Sequence, residues 1–158
     1  MDEYGQGIWR YVYSMTRNTA VADDLSQEVF IQAYQHLSQF RETSSMKTWL
    51  FTIAKHKCID YFRSAFVRRV TFHARMDDVS DDSVEERVIA SEQRNAVWAA
   101  LFQLKPDARE VVLLHTKEDM TFKEVGQVLG ISETAARVKY HRAVQKLQRM
   151  LGEGGRRR

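Results

Sequence analysis

A single cysteine, Cys58, stands among 158 residues, which excludes an internal disulfide framework and a cysteine-built zinc site. One proline and seven glycines supply too few breakers for a turn-rich β architecture, so long helices are expected. No apolar run of about 18 residues occurs, so no spanning helix is expected. No charged-then-apolar leader opens the chain, and a reduced, cytoplasmic setting without membrane insertion is the plain expectation. His36, His56, His73, His115 and His141 show no HExxH or comparable ligand spacing. A glycine-rich phosphate loop and a G-x-S-x-G elbow are missing too. The expectation is a protein without metal, cofactor or small-molecule substrate, and not an enzyme.

What is present suits a folded chain: 44% hydrophobic and 28% charged residues. Length permits one domain or two small ones. Two domains of roughly 60 to 70 residues would have thin cores, so each half is expected to lean on a partner. The net charge is only +3, so a nucleic-acid surface requires uneven placement of charge. Between Lys55 and Arg75 lie six bases (Lys55, Lys57, Arg63, Arg68, Arg69, Arg75) against Asp60 alone, and then six acids and no base from Asp77 to Glu86. The far end is basic again.

Apolar spacing organises the chain into helices. Ile8, Tyr11, Val12 and Met15 predict a first helix of about three turns. Asn18 or Thr19 can cap a second, with Asp23 and Asp24 in its first turn, where the helix dipole favours acids. Val21, Leu25, Val29, Ala33 and Leu37 would line its inner face, and Asp24, Gln27 and Glu28 its outer one. Ser44 or Ser45 can cap a third helix from about Met46 past Phe62, with Met46, Trp49, Leu50, Ile53, Ala54, Cys58 and Tyr61 inward and a basic outer face. Past Arg69 periodicity fades into an acidic stretch that reads as a solvated linker. It resumes near Ser91 through Val97, Leu101 and Leu104. Pro106 suits the first position of a helix running through Val111, Val112 and Leu114.

The strongest local signal runs from Thr121 to Arg149. Thr121-Phe122-Lys123-Glu124 is a capping box, and Val125, Val128 and Leu129 give the helix its apolar side. Gly126 is small enough for a second helix to cross closely. Gly130 can take a left-handed conformation and Ser132 can cap the next helix, which makes a helix-turn-helix. The second helix carries Arg137, Lys139, His141, Arg142, Lys146 and Arg149, with Ala135, Ala136, Ala143 and Leu147 for packing. Such a helix in a major groove reads bases from its N-terminal half and phosphates from its flanks. A helical hairpin without DNA function has the same periodicity. Cys58 reads as a small core residue rather than a reactive thiol. By composition alone, Asp23, Asp24, Gln27 and Glu28 read by default as a solvated helix face.

Asp23-Asp-Leu-Ser-Gln-Glu-Val-Phe30, followed by Trp49-Leu-Phe-Thr-Ile-Ala54, Asp60 and Arg63, resembles the promoter-melting domain of extracytoplasmic-function (ECF) sigma factors. Glu124 to Leu147, with Leu-Gly-Ile-Ser and His141-Arg-Ala143, resembles the same family's domain for the −35 element. The resemblance covers nearly the whole chain and implies an all-α protein of two small domains: residues 1–70, an acidic linker 71–91, residues 92–152 with the helix-turn-helix, and a basic tail 153–158. It implies that Asp24, Gln27 and Glu28 dock on the β′ clamp helices of core RNA polymerase, with a second contact at the β flap. The loop from Phe40 to Met46 would capture a flipped −10 base, and Phe40, Arg41, Ser44, Lys47, Lys55, His56 and Arg63 would meet −10 DNA. Arg137, Lys139, His141 and Arg142 fall on the −35 recognition helix, with Thr134 beside them and Thr121 and Lys123 near phosphates. An anti-sigma factor is an implied partner. The chain departs from the family at His56, where many relatives have Asn, and at Val138 and Val144, often polar or basic in relatives. The linker either threads toward the polymerase's nucleic-acid channel or is an inert tether. A helix-turn-helix regulator that forms no holoenzyme is the main rival; a small nuclease would need clustered carboxylates for metal.

Overall fold

The computed structural model describes residues 2–41, 44–72 and 92–156. Among them the elements are α1 (Asp2–Thr16), α2 (Thr19–Gln35), a 3-10 turn (Leu37–Gln39), α3 (Met46–Phe72), α4 (Glu92–Gln103), α5 (Pro106–Thr116), α6 (Phe122–Leu129) and α7 (Glu133–Arg156), with no strand. The acidic stretch expected as a linker lies outside the described residues, as do positions 42, 43, 157 and 158.

The first three helices form the N-terminal half. α1 buries Ile8, Tyr11 and Val12 as its spacing predicts, and also Tyr13. Asn18 caps α2 by accepting the Val21 N–H at 3.0 Å. The helix therefore starts at Thr19, which puts Asp23 and Asp24 in the second turn rather than the first. Asp23 instead accepts a 2.7 Å hydrogen bond from the Trp9 indole. Ala22, Leu25, Ser26, Val29 and Ala33 are the buried face of α2. Leu37, placed on that face by spacing, lies beyond the helix end and is exposed. Ser45 begins α3 by accepting the Thr48 N–H at 3.1 Å. Leu50, Ile53, Ala54 and Cys58 face inward, joined by Phe51.

The C-terminal half is α4 to α7. Pro106 occupies the first turn of α5, where a missing N–H costs nothing. α4 buries Ala100 and Leu101, with Leu104 just beyond it, while Val97 is exposed, so its predicted inner face is rotated from Val97 toward the half-buried Trp98. Thr121 and Glu124 form the expected capping box, and Gly130 takes φ 69° at the end of α6. Gly126 is needed for a different reason from the one its size suggests. A Cβ there would meet the Ile131 carbonyl oxygen at 2.6 Å, so it makes room for the turn backbone rather than for a crossing helix.

The two halves share one core. Ile8, Tyr11, Phe51, Ala54 and Cys58 pack in the same buried cluster as Val111, Leu114, Met120, Val125 and Val128. α1 lies on α5 and α3 on α6. The partner that each thin half requires is thus the other half. Arg109 locks the arrangement by donating to the carbonyls of Leu101 and Leu104, each at 3.0 Å, and of Ser14 in α1.

This shared core makes stability sensitive to alkali. Burial, with smaller effects of neighbouring charge, pushes the Cys58 thiol from 9.0 to about 12 and the Tyr11 phenol well above 10.0. Both groups are raised in the folded chain, so their contribution is complete below the unfolded values and is lost as pH rises through the folded ones. For Cys58 the window is pH 9.0 to about 12, with roughly 1.4 kcal/mol lost per pH unit. Urea unfolding from pH 8 upward is expected to show this decline, and Cys58→Ala to flatten it. A wild-type midpoint that stays level across the window contradicts the burial of these ionisable groups.

Candidate interaction and nucleic-acid surfaces

The outer side of α2 forms the first surface. Asp24, Gln27 and Glu28 are exposed because Leu25, Val29 and Ala33 point into the core. Glu28 meets Lys57 of α3 at 3.8 Å, an exposed pair of little energetic weight. The face continues through Ile31 and Tyr34, which are 57% and 72% exposed. Sequence reading missed these two; their helical spacing from Gln27 was the available signal. Beside Tyr34 opens an apolar cavity of about 210 Å³, walled by Tyr4, Phe30, Leu37, Met46 and Trp49. Carboxylates beside exposed apolar side chains suit a protein partner and repel phosphate.

The second surface is the loop before α3 and α3 itself. Phe40 leans on Trp49 with ring centroids 5.1 Å apart. Arg41 is exposed and Ser44 half-buried. His56 and Arg63 are both exposed and, two turns apart, share one side of α3. Lys47 and Lys55 are turned elsewhere. The Lys47 ammonium donates to the Glu118 carbonyl at 2.7 Å. Lys55 donates to both oxygens of Glu110 at 2.9 and 3.0 Å. Tyr11 adds its hydroxyl to Glu110 at 2.9 Å. Burial pushes the Glu110 carboxyl up, against the lowering effect of the Lys55 and Tyr11 hydrogen bonds. The basic outer face expected of α3 is therefore divided, with Lys55 spent inside the molecule.

The helix-turn-helix is the third surface. Thr134, Arg137, His141 and Arg142 are exposed on α7, and Lys123 on α6. Arg137 lies 5.4 Å over the Phe122 ring and 3.3 Å from Glu133. Phe122 in turn stacks on His115 at 4.1 Å, and Tyr140 meets His115 edge-on at 4.5 Å. The ring set joins α5, α6 and α7 beneath the cationic face. Single-sequence reading missed it because the three rings come from three different elements. Lys139 stands two positions past Arg137, so about 200° round the helix. It bonds Asp107 of α5 at 3.0 Å, and that hydrogen bond holds the Asp107 carboxyl below its ordinary value. Thr121 is exposed, with its hydroxyl oxygen committed to the cap, where it accepts the Glu124 N–H at 3.1 Å.

No group of three His, Cys, Asp or Glu side chains among the described residues is placed to hold a metal ion. No described helix is long and apolar enough to cross a membrane.

Comparison with known proteins gives the same division. The family pattern described as Sigma-70 region 2 matches residues 1–66, and that described as Sigma-70, region 4 matches residues 94–147. The chain is 30% identical over 154 residues to the ECF RNA polymerase sigma factor SigX of Bacillus subtilis, covering 94% of this chain and 79% of that protein. It is 31% identical over 155 residues to the ECF RNA polymerase sigma factor SigL of Mycobacterium tuberculosis, covering 98% and 88%. Two solved structures share the fold. The sigma factor RpoE in complex with the anti-sigma factor NepR from Bartonella quintana gives a TM-score of 0.72 at 18% identity, over 94% of this chain and 91% of that one. CnrH in complex with the cytosolic domain of CnrY gives 0.70 at 24% identity, over 96% and 84%.

The cap at Thr121 is separable from any phosphate contact. Thr121→Ala is expected to cost about 1 kcal/mol of stability, and Thr121→Asn, which can still cap, to restore most of it. Equal stability of the Ala and Asn variants in urea unfolding would show that the cap carries no weight.

Proposed function

The chain belongs to the ECF RNA polymerase sigma factors, and on that premise we propose how its surfaces divide the work of promoter-specific transcription initiation. Residues 1–70 bind core polymerase and open the −10 element, residues 71–91 connect, residues 92–152 read the −35 element, and residues 153–158 form a basic tail. The observation that carries this reading is the ordered pair of sigma-70 patterns, regions 2 and 4, over 1–66 and 94–147. Phosphodiester formation belongs to the polymerase, so the chain acts as a non-catalytic subunit in the cytoplasm, where the polymerase works. An anti-sigma factor is the proposed regulator, as the RpoE–NepR pairing suggests.

Asp24, Gln27 and Glu28 dock on the β′ clamp helices, and Ile31 and Tyr34 extend that contact. Exposure and the carboxylate-apolar mixture support this role. The C-terminal half makes a second contact at the β flap. For −10 DNA, the loop with Phe40, Arg41 and Ser44 captures a base, and Lys47, Lys55, His56 and Arg63 hold the strand. For −35 DNA, Arg137, His141 and Arg142 enter the groove with Thr134, and Thr121, Lys123 and Lys139 serve the backbone.

Arg137 and Arg142 stand five residues apart and diverge by about 140° on the helix. They cannot address one base pair from the same angle. Arg137, nearer the N-terminus of α7 and steadied over Phe122, is the base reader.

Two outcomes follow. Glu28→Lys is expected to weaken capture of core polymerase in a pull-down while shifting stability by only about 0.5 kcal/mol, since the site is exposed; unchanged capture removes the docking role. Arg137→Ala is expected to flatten preference at one −35 position by about 1 to 3 kcal/mol, whereas loss of a phosphate contact weakens all sequences alike. Holoenzyme binding to single-base −35 variants decides between them, and uniform weakening would make α7 a basic clamp instead of a reader.

A further inference from the structure

Val138 is 40% exposed and stands on α7 among cations. A lone apolar side chain at a surface needs no explanation by itself; this one is set apart by where it lies. It comes two positions after Ala136 and five before Ala143, so it stands about 200° and about 140° round the helix from these two buried alanines. Val138 therefore marks the outward centre of α7. Thr134, one turn earlier, and Arg142, one turn later, continue the same exposed line. The two cations beside Val138 in sequence are drawn to opposite flanks. Arg137 turns to Glu133 at 3.3 Å and to the Phe122 ring at 5.4 Å, while Lys139 turns to Asp107 of α5 at 3.0 Å. Val138 is left uncovered between them. Val144, also apolar where relatives are often polar, is half-buried and lies about 120° away round the helix, off this line.

A valine in this place has no benefit in the free chain. Its β-branch makes it a poorer helix former than alanine, and its exposure denies it the gain of burial. When α7 lies in a major groove, the outward centre is the line that comes nearest the base pairs. A short side chain touches a base only from that line, whereas arginines reach in from the flanks. Among the hydrogen-bonding edges of the major groove, the 5-methyl group of thymine is the apolar landmark. We infer that Val138 is a specificity-determining residue that packs on a thymine 5-methyl group in the −35 element and so selects an A·T pair, in one orientation, at the position it faces. This rests on the reading of α7 as the −35 helix, and it adds a base position to the one assigned to Arg137. Cytosine at the same place offers a hydrogen where thymine has the methyl group, and its amino group would lose water to the valine without gaining a partner.

The test uses holoenzyme formed by the full chain with core polymerase, on promoters selected from a library randomised at the −35 element. Wild-type holoenzyme is expected to fix an A·T pair in at least one position. Replacing its thymine by deoxyuridine removes the methyl group and leaves base pairing intact. The exchange is expected to weaken binding about three- to fourfold, the worth of one buried methyl group. Val138→Ala, a change that favours the helix, is expected to bind thymine and deoxyuridine DNA alike, while Arg137→Ala retains the full difference. Three results overturn the inference: no fixed A·T pair, indifference of the wild type to every thymine-to-deoxyuridine exchange, or a difference that survives in Val138→Ala. In each case the −35 reading itself stands if other base changes in the element still weaken binding. If no change in the −35 element alters binding by wild-type holoenzyme, the reading of α7 fails and the inference falls with it.

Discussion

Glu110 is the constraint around which the two halves are arranged. Its carboxylate is nearly sealed from water, with Lys55 of α3 on both oxygens and the Tyr11 hydroxyl of α1 on one of them. A buried carboxylate is tolerated only when it is paired and hydrogen-bonded, and removing one partner of such a pair typically costs about 3 to 5 kcal/mol. Satisfying Glu110 therefore requires α5 to lie against α1 and α3 in one orientation. Arg109, its neighbour in sequence, applies the same logic in the other direction by closing on main-chain carbonyls of α1 and of the α4 end. Two adjacent buried charges thus define the junction.

Around this polar pair the apolar surfaces do the bulk of the work. Neither half has enough residues for a deep core, and the common cluster that runs from Ile8 through Phe51 to Val125 is the remedy. Tyr13 packs edge-on against Trp98 and Phe102 of α4, at 5.2 and 5.6 Å, which extends the junction to the far side of α1. What this packing leaves outside is as informative as what it covers. The acid-apolar stripe of α2 and the cationic side of α7 remain open, while part of the basic surface of α3 is covered. Surfaces proposed for polymerase and for the −35 element are thereby available together, and the one proposed for the −10 element is only half available.

The caps and turn of the helix-turn-helix were legible from the chain because their determinants are local. The Thr121–Glu124 box, the left-handed Gly130 and the Ser132 cap each act within a few residues, and each is found where spacing puts it. The helix order and the outward placement of Asp24, Gln27 and Glu28 were legible for the same reason. Smaller errors were local: with Asn18 as the cap, Asp23 and Asp24 fall in the second turn of α2 rather than the first, and the face of α4 rotates past Val97 to meet Tyr13. The family resemblance supplied residue roles that periodicity has no means of assigning.

Sequence by itself determined the all-helical class, the two-part organisation, the turn chemistry and the family. Tertiary structure alone decided the fate of Lys47, Lys55 and Lys139, which are cations of a basic helix face by pattern and partners of Glu118, Glu110 and Asp107 in the folded chain. The physical reason is range. Caps and amphipathic faces are set by neighbours three or four positions away, whereas an ion pair between Lys55 and Glu110 depends on how two helices far apart in sequence come to share a core.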